Sequence, residues 1–167
     1  MTHAPVFYTT IASPVGDLLL TGTETHLTGL YMTPHTHGPD RRDDWVANDA
    51  PFRTVVRQLA EYFDGTRQTF DVALAPHGTT FQQRVWHALS EIPYGTTVSY
   101  AHIARAIENP KGVRAVGLAN GRNPISIIVP CHRVIGANGS LTGYGGGLPR
   151  KEWLLTHEST VRTRQTR

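Results

Sequence analysis

The part of the chain that most constrains its fold is residues 128–135, Ile-Val-Pro-Cys-His-Arg-Val-Ile. Here an apolar run meets a proline and the only cysteine, Cys131. The run begins at residue 125 and is rich in β-branched side chains, a composition that favours a buried strand. Proline cannot donate a hydrogen bond to a neighbouring strand, so Pro130 ends this strand directly before the thiol. The sequence therefore predicts a buried strand at 125–129 that stops at Cys131.

The neighbours of Cys131 allow two interpretations. A free cysteine at the end of a buried apolar segment usually packs as a small hydrophobic side chain. His132 and Arg133, however, place a base and a fixed positive charge beside the thiol, and a thiolate needs such neighbours to form near neutral pH. The Gly-Tyr-Gly-Gly-Gly sequence at 143–147 also lets the backbone approach a ligand closely. An inert thiol and a reactive thiol therefore both fit these residues.

The distribution of charge separates two halves of the chain. The 167 residues suit one domain, or two small lobes that share a core, and 39% of them are hydrophobic, as in a globular protein. Residues 1–81 carry five basic and nine acidic residues, a net charge of −4, whereas residues 82–167 carry eleven basic and four acidic residues, a net charge of +7. The basic half contains Cys131 and is suited to a polyanionic partner, although a merely solvated basic surface explains the charge equally well.

Cysteine usage and hydropathy bear on the compartment. One cysteine cannot form an internal disulfide or a zinc site with several cysteines, and a free thiol fits a reducing environment. The N-terminal residues lack a basic segment followed by an apolar core, and no apolar run approaches the length of a membrane span. We therefore expect a cytoplasmic protein without membrane association.

The first half of the chain has the pattern of a small antiparallel sheet followed by a helix. The predicted elements, in chain order, are strands at 5–11, 17–22 and 26–32, a helix at 51–64 and a strand at 69–75. Residues 33–50 are polar and predict a loop. Pro76-His77-Gly78 interrupts the pattern, so we assign residues 1–78 to an N-terminal α/β lobe.

The second half is mostly helical. The predicted helices, in chain order, lie at 80–90, 99–107, 111–120 and 151–157. The second and third are short and joined by a tight turn, which is the pattern of a helix-turn-helix and also of an ordinary helical corner. The third helix is basic and rich in small residues, which favours close approach to a nucleic-acid backbone. We assign residues 79–158 to a DNA-binding and active-site lobe, and residues 159–167 to a basic, flexible tail.

The residues themselves suggest one catalytic constellation. Cys131 would be a nucleophile, His132 its base, and Glu158 the group that orients the base. Adjacent side chains often point apart, so a bridging water between the thiol and the imidazole fits better than a direct hydrogen bond. Spacing alone does not distinguish this triad from an inert thiol, since it does not fix the geometry.

Pro-Cys-His-Arg-Val at 130–134 resembles the active-site motif of the O6-alkylguanine-DNA alkyltransferases. Five further segments resemble the same family, and together they cover nearly all of residues 80–158. These segments are Phe-Gln-Gln-Arg-Val-Trp at 81–86, Ile-Pro-Tyr-Gly-Thr-Thr-Val-Ser-Tyr at 92–100, Arg-Ala-Val-Gly-Leu-Ala-Asn-Gly-Arg-Asn-Pro at 114–124, Tyr-Gly-Gly-Gly at 144–147 and Lys-Glu-Trp-Leu-Leu-Thr-His-Glu at 151–158. The N-terminal half resembles the family only in general layout.

The resemblance implies a fold and a reaction. The fold would be α+β, with a small N-terminal antiparallel-sheet lobe, like that of ribonuclease H, packed on a mostly helical C-terminal lobe that contains a helix-turn-helix. Cys131 would accept an alkyl group directly from O6 of guanine in a single irreversible turnover. His132 would take the thiol proton through a water, and Glu158 would hold His132. Tyr100 would bind the flipped base and help to protonate the guanine, while Asn123 would tie the recognition region to the active-site segment.

The resemblance also implies contacts with DNA and with the base. Arg114 would insert into the base stack, because family members place this helix-turn-helix in the minor groove and flip the damaged base out. The backbone N–H groups near Tyr144 and Gly145 would bind O6, and the carbonyls of Cys131 and Val134 would accept hydrogen bonds from the exocyclic amine. The remaining implied contacts are those of Ser99, Tyr100, Lys111, Ala115 and Arg122 with DNA and of Pro130 in the pocket.

The implied partner is double-stranded DNA containing O6-alkylguanine, with O4-alkylthymine as a lesser substrate. Direct transfer requires no cofactor. We expect a monomer, with cooperative assembly on DNA left open, that acts in the cytoplasm in association with the nucleoid. Two departures from the family matter. Gly145 replaces a serine of some members, and the N-terminal half has no cysteine for the zinc that some members bind, so we expect no metal.

Two other classes of function use parts of the same pattern. A non-catalytic sensor of alkylation damage would bind DNA through the helix-turn-helix, but the alkyltransferase-like proteins of this superfamily lack the reactive cysteine that this chain has. A cysteine hydrolase would use Cys131 with an oxyanion pocket, would turn over ester substrates, and would not need a basic second lobe.

Overall fold

A computed structural model of the protein describes residues 4–166. Its N-terminal part is a four-stranded sheet with the strand order β3-β2-β1-β4. The strands are β1 (Phe7–Ile11), β2 (Leu18–Gly22), β3 (Leu27–Met32) and β4 (Val46–Ala47). The first three pair antiparallel, as predicted, whereas β4 pairs parallel with β1. The pattern did not predict β4, because it has only two residues, both exposed, within the polar stretch.

Buried side chains of β2 and β3 build the N-terminal part of the core. Leu20 of β2 lies opposite Leu30 of β3, and both are fully buried. A single 3-10 turn leads into helix α1 (Arg53–Phe63), as the apolar spacing predicted. Leu59 and Tyr62 on one face of α1 are also fully buried. Burying large side chains at this spacing fixes the helix against the rest of the core.

The C-terminal part contains four helices, and the predicted α+β architecture is confirmed. These helices are α2 (Thr80–Ser90), α3 (Tyr100–Ala106), α4 (Val113–Gly121) and α5 (Leu148–Gln165). Thr79 and Gln82 form a capping box that starts α2. The Ser99 hydroxyl accepts the His102 N–H (3.1 Å) and starts α3. Helices α3 and α4 form the predicted helix-turn-helix, with α4 starting two residues later than expected.

A two-stranded parallel sheet joins the helix-turn-helix to the cysteine segment. Its strands are β5 (Val98–Ser99) and β6 (Val134–Ile135). Val98 pairs with Val134, and Ser99 pairs with Ile135. Because β5 leads directly into α3 and β6 directly follows the residues after Cys131, the sheet places these two parts side by side.

The predicted strand at 125–129 is wrong. Only Ile125 bridges to Leu30 of β3, which it does in the parallel sense. The chain then forms a turn, in which the Val129 N–H donates to the Ile125 carbonyl (3.1 Å) and Ile127 has a φ of 71°. The β-branched composition favours a strand, but local hydrogen bonds across the turn replace a ladder here.

The predicted strand at 69–75 is also wrong, because the Gln58 side chain, and not a neighbouring strand, binds the backbone of Asp71. The Gln58 amide nitrogen donates to the Asp71 carbonyl (3.1 Å), and the Gln58 amide oxygen accepts the Asp71 N–H (2.9 Å). A single bridge, between Leu74 and Leu27, connects this extended segment to β3.

The predicted flexible tail at 159–167 is helical as far as the structure describes it, since α5 continues to Gln165. Val161 is buried and packs against Gly65, just after α1. Arg162 donates a hydrogen bond to the Gly95 carbonyl (3.1 Å). These two contacts hold a segment whose basic composition alone suggested disorder. Residue 167 lies outside the described residues, and the division of the chain after residue 78 stays a prediction.

Between residues 4 and 166, no helix combines the length and the apolar composition that crossing a membrane requires.

The end of α5 gives a first prediction. Val161→Ala should lower the free energy of unfolding by about 2 kcal/mol, because it leaves a cavity against Gly65. Thr160→Ala, an exposed change on the same turn, should leave it unchanged within about 0.5 kcal/mol. Urea denaturation of both variants measures this difference, and equal stabilities would show that the end of α5 is not packed on the core.

Candidate active site

The turn that carries the thiol is held by Asn123. Its amide nitrogen donates to the carbonyls of Val129 (2.7 Å) and Ile125 (3.3 Å), and its amide oxygen accepts the Ile125 N–H (3.0 Å). Within this turn, Ile127 adopts the left-handed conformation, which costs a non-glycine residue about 1–2 kcal/mol. The buried hydrogen bonds of Asn123 offset that strain and fix the approach to the thiol.

Cys131 starts a single 3-10 turn, Cys131–Arg133, and only 4% of its surface is exposed. Burial raises the pKa of the thiol, while the nearby Asn123 amide and the charge of Lys151 act in the opposite direction. Because burial outweighs these two, the thiol is protonated at neutral pH and needs a base before it can act as a nucleophile.

His132 has the geometry of that base. Its Nε2 lies 2.7 Å from Oε1 of Glu158, so an ionised carboxylate fixes the ring proton on Nε2 and leaves a lone pair on Nδ1. Within residues 4–166, Nδ1 has no hydrogen-bond partner and is buried. Burial lowers the pKa of His132 further than the hydrogen bond to Glu158 raises it, so the ring is neutral at pH 7. A neutral imidazole with a free lone pair can accept a proton.

Glu158 is the centre of the buried polar network. Besides His132, its carboxylate accepts hydrogen bonds from the Tyr62 hydroxyl (2.9 Å) and the Gly95 N–H (3.4 Å). Arg133 binds both carboxylate oxygens, with Nε at 2.9 Å from Oε2 and Nη2 at 2.8 Å from Oε1. Burial alone would raise the pKa of Glu158, but His132 and Arg133 hold it well below its usual range. The carboxylate therefore stays ionised throughout the neutral range.

The expected position of Arg133 beside the thiol is wrong. Its guanidinium faces Glu158 and the Ile92 carbonyl (2.8 Å) instead. The positive charge near the thiol belongs to Lys151, which is fully buried. Lys151 donates to the carbonyls of Val134 (2.6 Å) and Thr142 (2.9 Å). A buried ammonium held by two carbonyls stabilises negative charge nearby, including a thiolate.

Beside this buried group lies an open cavity of about 580 Å³. Its lining includes Tyr100, Tyr144 and Gly145, which the sequence predicted, together with Arg122. The Tyr100 hydroxyl lies 3.3 Å from the Thr142 carbonyl, to which Lys151 also donates. The cavity has the size of a site for a small molecule or a nucleobase. A second cavity, about 550 Å³, lies between α2 and α3 and contains none of the predicted site residues.

The predicted DNA-contacting residues lie mainly on one exposed helix and its ends. Arg114 and Ala115 are exposed on α4, and Lys111 and Arg122 are exposed at its two ends. Ser99 differs from these, since its hydroxyl already caps α3. The structure brings Cys131, His132, Glu158 and Asn123 together in a buried group, whereas Arg114 is exposed on the adjoining surface. Neither Cys131 nor Arg114 is among the residues that line the cavity.

Sequence reasoning missed several residues that complete the site. Lys151 lies seven residues before Glu158, which puts both on the same face of α5, and this spacing could have identified it. Tyr62 and Gly95 could not have been found, because they come from distant segments. Leu118 on α4 is 68% exposed beside the cavity, and no local pattern distinguished it from a core residue.

Among the residues that the structure describes, no group of three or more His, Cys, Asp or Glu side chains is arranged to hold a metal ion.

Two protein-family models match the chain. The model of the 6-O-methylguanine DNA methyltransferase ribonuclease-like domain matches residues 6–76, and that of the 6-O-methylguanine DNA methyltransferase DNA binding domain matches residues 80–160.

Individual proteins and structures are similar over nearly the whole chain. A methylated-DNA–protein-cysteine methyltransferase of Methanosarcina acetivorans is 54% identical over 155 residues, which cover 93% of this chain and 99% of the relative. A protein of the same description from Mycobacterium tuberculosis is 54% identical and covers 93% of both chains. The crystal structure of Mycobacterium tuberculosis OGT in complex with DNA superimposes with a TM-score of 0.88 at 54% identity, covering 93% of this chain and 94% of that one.

The Glu158 network gives a second prediction. Glu158→Gln should lower the free energy of unfolding at pH 7 by about 3–5 kcal/mol, because it leaves the buried Arg133 guanidinium without a counter-charge. Glu152→Gln, an exposed change on the same helix, should have little effect. Urea denaturation monitored by tryptophan fluorescence measures both, and a Glu158→Gln variant as stable as the control would contradict this role.

Proposed function

The chain belongs to the 6-O-methylguanine DNA methyltransferase family, and from this membership we infer that it repairs DNA by transferring an alkyl group from O6-alkylguanine to one of its own cysteines. The observation that carries the assignment is the buried Cys131, the only cysteine of the sequence, next to a His132–Glu158 pair. The acceptor is accordingly Cys131. DNA is its partner, and the roles of the individual residues below are our proposals.

We propose that transfer is a direct displacement at the alkyl carbon. His132 accepts the thiol proton on Nδ1 through a bridging water, and Glu158 stabilises the imidazolium that results. The Cys131 sulfur then forms a bond to the alkyl carbon while the bond between that carbon and O6 of guanine breaks. The charge of Lys151 favours the thiolate at the moment of attack.

The leaving guanine is stabilised by groups around the cavity. We propose that Tyr100 donates its phenolic proton to the departing base, which leaves as neutral guanine, and that the phenolate regains the proton held by the His132 imidazolium through solvent. The backbone N–H groups near Tyr144 and Gly145 donate hydrogen bonds to O6, and the carbonyls of Cys131 and Val134 accept hydrogen bonds from the exocyclic amine. The Val134 carbonyl already accepts a hydrogen bond from the Lys151 ammonium (2.6 Å). A carbonyl oxygen has two lone pairs, so it can accept a second hydrogen bond from the base.

The exposed face of α4 is suited to the minor groove. Its small residues allow the backbone to come close to DNA, and Arg114 is free to insert into the base stack. The damaged nucleotide must flip out of the duplex, because O6 of a stacked guanine cannot reach the Cys131 thiol, which is only 4% exposed. Lys111 and Arg122, at the two ends of the helix, would bind phosphates.

The thioether that forms is stable, so each molecule would act once, without a cofactor. We propose O6-alkylguanine in double-stranded DNA as the main substrate and O4-alkylthymine as a lesser one. We further propose that the protein acts as a monomer on DNA of the nucleoid.

Intact-protein mass spectrometry tests the transfer. After incubation with a duplex that carries one O6-methylguanine, the protein should gain one methyl group per molecule, at Cys131. Undamaged duplex and the Cys131→Ser variant should give no gain. Binding of the damaged duplex without a change in mass would instead support a non-catalytic damage sensor.

The pH dependence of the transfer rate tests the role of His132. A protonated imidazole cannot accept the thiol proton, so the rate should fall as the pH falls through the pKa of His132, which lies below its ordinary value of 6.5. Above that value the rate should be level, because the neutral thiol and the neutral imidazole are the reacting pair. Single-turnover rates with a free O6-alkylguanine base separate this effect from DNA binding. A rate that rises about tenfold per pH unit between about pH 7 and 9 would show that the thiol ionises without His132.

A further inference from the structure

The glycine of the pocket loop at position 145 is in contact with the N-terminal half of the chain. A Cβ atom built on Gly145 would overlap the His35 ring, at 2.6 Å from Nε2 and closer still to Cε1. Real Cβ atoms essentially never approach other atoms so closely. The φ of Gly145 is not in the left-handed region, so its backbone would accept another residue. The His35 ring thus occupies the space that a side chain at position 145 would need, so either the ring or the loop would have to shift to admit one.

Other contacts join the same two segments. We define residues 32–38 as the wall segment and residues 143–147 as the pocket loop. The Thr36 N–H donates to the Gly145 carbonyl (3.0 Å), and a Cβ on Gly146 would lie 2.7 Å from the sulfur of Met32. Arg150, at the start of α5, donates to the Thr33 carbonyl of the wall segment (2.6 Å) and to the Gly146 carbonyl (3.4 Å). The pocket loop is thus packed and hydrogen-bonded against a segment more than 100 residues away in the sequence.

The pocket loop has little means of holding its own shape. Gly143 and Gly147 adopt positive φ values of 29° and 92°, and four of its five residues are glycines. Glycine loses more conformational freedom on ordering than any other residue, so such a loop is ordered by its surroundings. The wall segment, anchored by the fully buried Met32 at the end of β3, supplies those surroundings.

We propose that the wall segment holds the Tyr144–Gly145 peptide in the position that binds the alkylated base, and that His35 is a positioning residue for alkyl transfer, acting through Gly145. This inference rests on the proposed function, which places the N–H groups of that peptide on O6. It gives the N-terminal half of the chain a direct part in the geometry of the reaction.

A double-mutant cycle tests the proposal. The variants are His35→Ala, Gly145→Ala and the combination of the two, with His26→Ala as a control, since His26 is exposed on the turn between β2 and β3. The measurement is the single-turnover rate of Cys131 alkylation by a free O6-alkylguanine base, taken as a function of base concentration to separate binding from the maximal rate. Thermal melting and affinity for undamaged duplex are measured in parallel.

Gly145→Ala should lower the rate about tenfold, because the new methyl group displaces the peptide from His35. His35→Ala should lower it by a smaller factor, through a less ordered loop. In the combined variant the overlap is gone, so its rate should match that of His35→Ala alone rather than the product of the two losses. His26→Ala should react like the wild type, and affinity for undamaged DNA should be constant throughout.

Independent, multiplicative effects of the two changes would overturn the proposal, and so would a His35→Ala variant with the wild-type rate. Variants whose loss of rate simply follows their loss of melting temperature would also overturn the proposal, since this would indicate a structural role for His35. If the wild type itself transfers no alkyl group, the proposed function fails and this inference with it. If the wild type transfers the alkyl group normally but the two substitutions act independently, the proposed function stands and only this inference fails.

Discussion

The structure around the thiol depends on one buried carboxylate. Glu158 on α5 binds His132 and Arg133 from the cysteine turn, Tyr62 from α1 and the Gly95 N–H from the segment before α3. An ionised carboxylate in the interior is tolerated only when every lone pair has a donor, so the four segments must all be in place before the charge can be buried. Folding and the alignment of the base are therefore a single event, and no separate adjustment is needed to orient His132.

The same burial sets the chemistry of the thiol. Cys131 and His132 are both buried, and burial favours the neutral form of each. A thiol kept protonated is protected from unspecific reaction, and a neutral imidazole beside it can take the proton when a substrate is in place. Lys151 supplies the positive charge near the thiol that was expected from Arg133. The Arg133 guanidinium binds Glu158 instead. Charge around the site is thus divided between a cation that neutralises the carboxylate and a cation that favours the thiolate.

Local signals in the sequence predicted most of the fold. The helix predicted at 51–64 and the three antiparallel strands depend on patterns within a few residues, and these elements were confirmed. The roles of the site residues were implied instead by the resemblance of several separate motifs to a known family, and they stay proposals. The failures involve long-range or competing hydrogen bonds, as where Gln58 takes the backbone of Asp71 or where Asn123 stabilises a turn in a β-branched run. The position of Arg162 depends on Gly95, 67 residues away, and the orientation of Arg133 depends on Glu158, 25 residues away, and no local pattern contains these partners.

The parallel pairing of β5 with β6 has a consequence for how damage reaches the thiol. Ser99 is at once the last residue of β5 and the cap of α3, and β6 begins directly after Arg133. No flexible connection separates the helix-turn-helix from the reactive turn, so the distance between them is fixed when the chain folds. In the proposed reaction the thiol and the helix-turn-helix would keep this separation, so the displacement that brings the alkyl group to Cys131 would be that of the nucleotide.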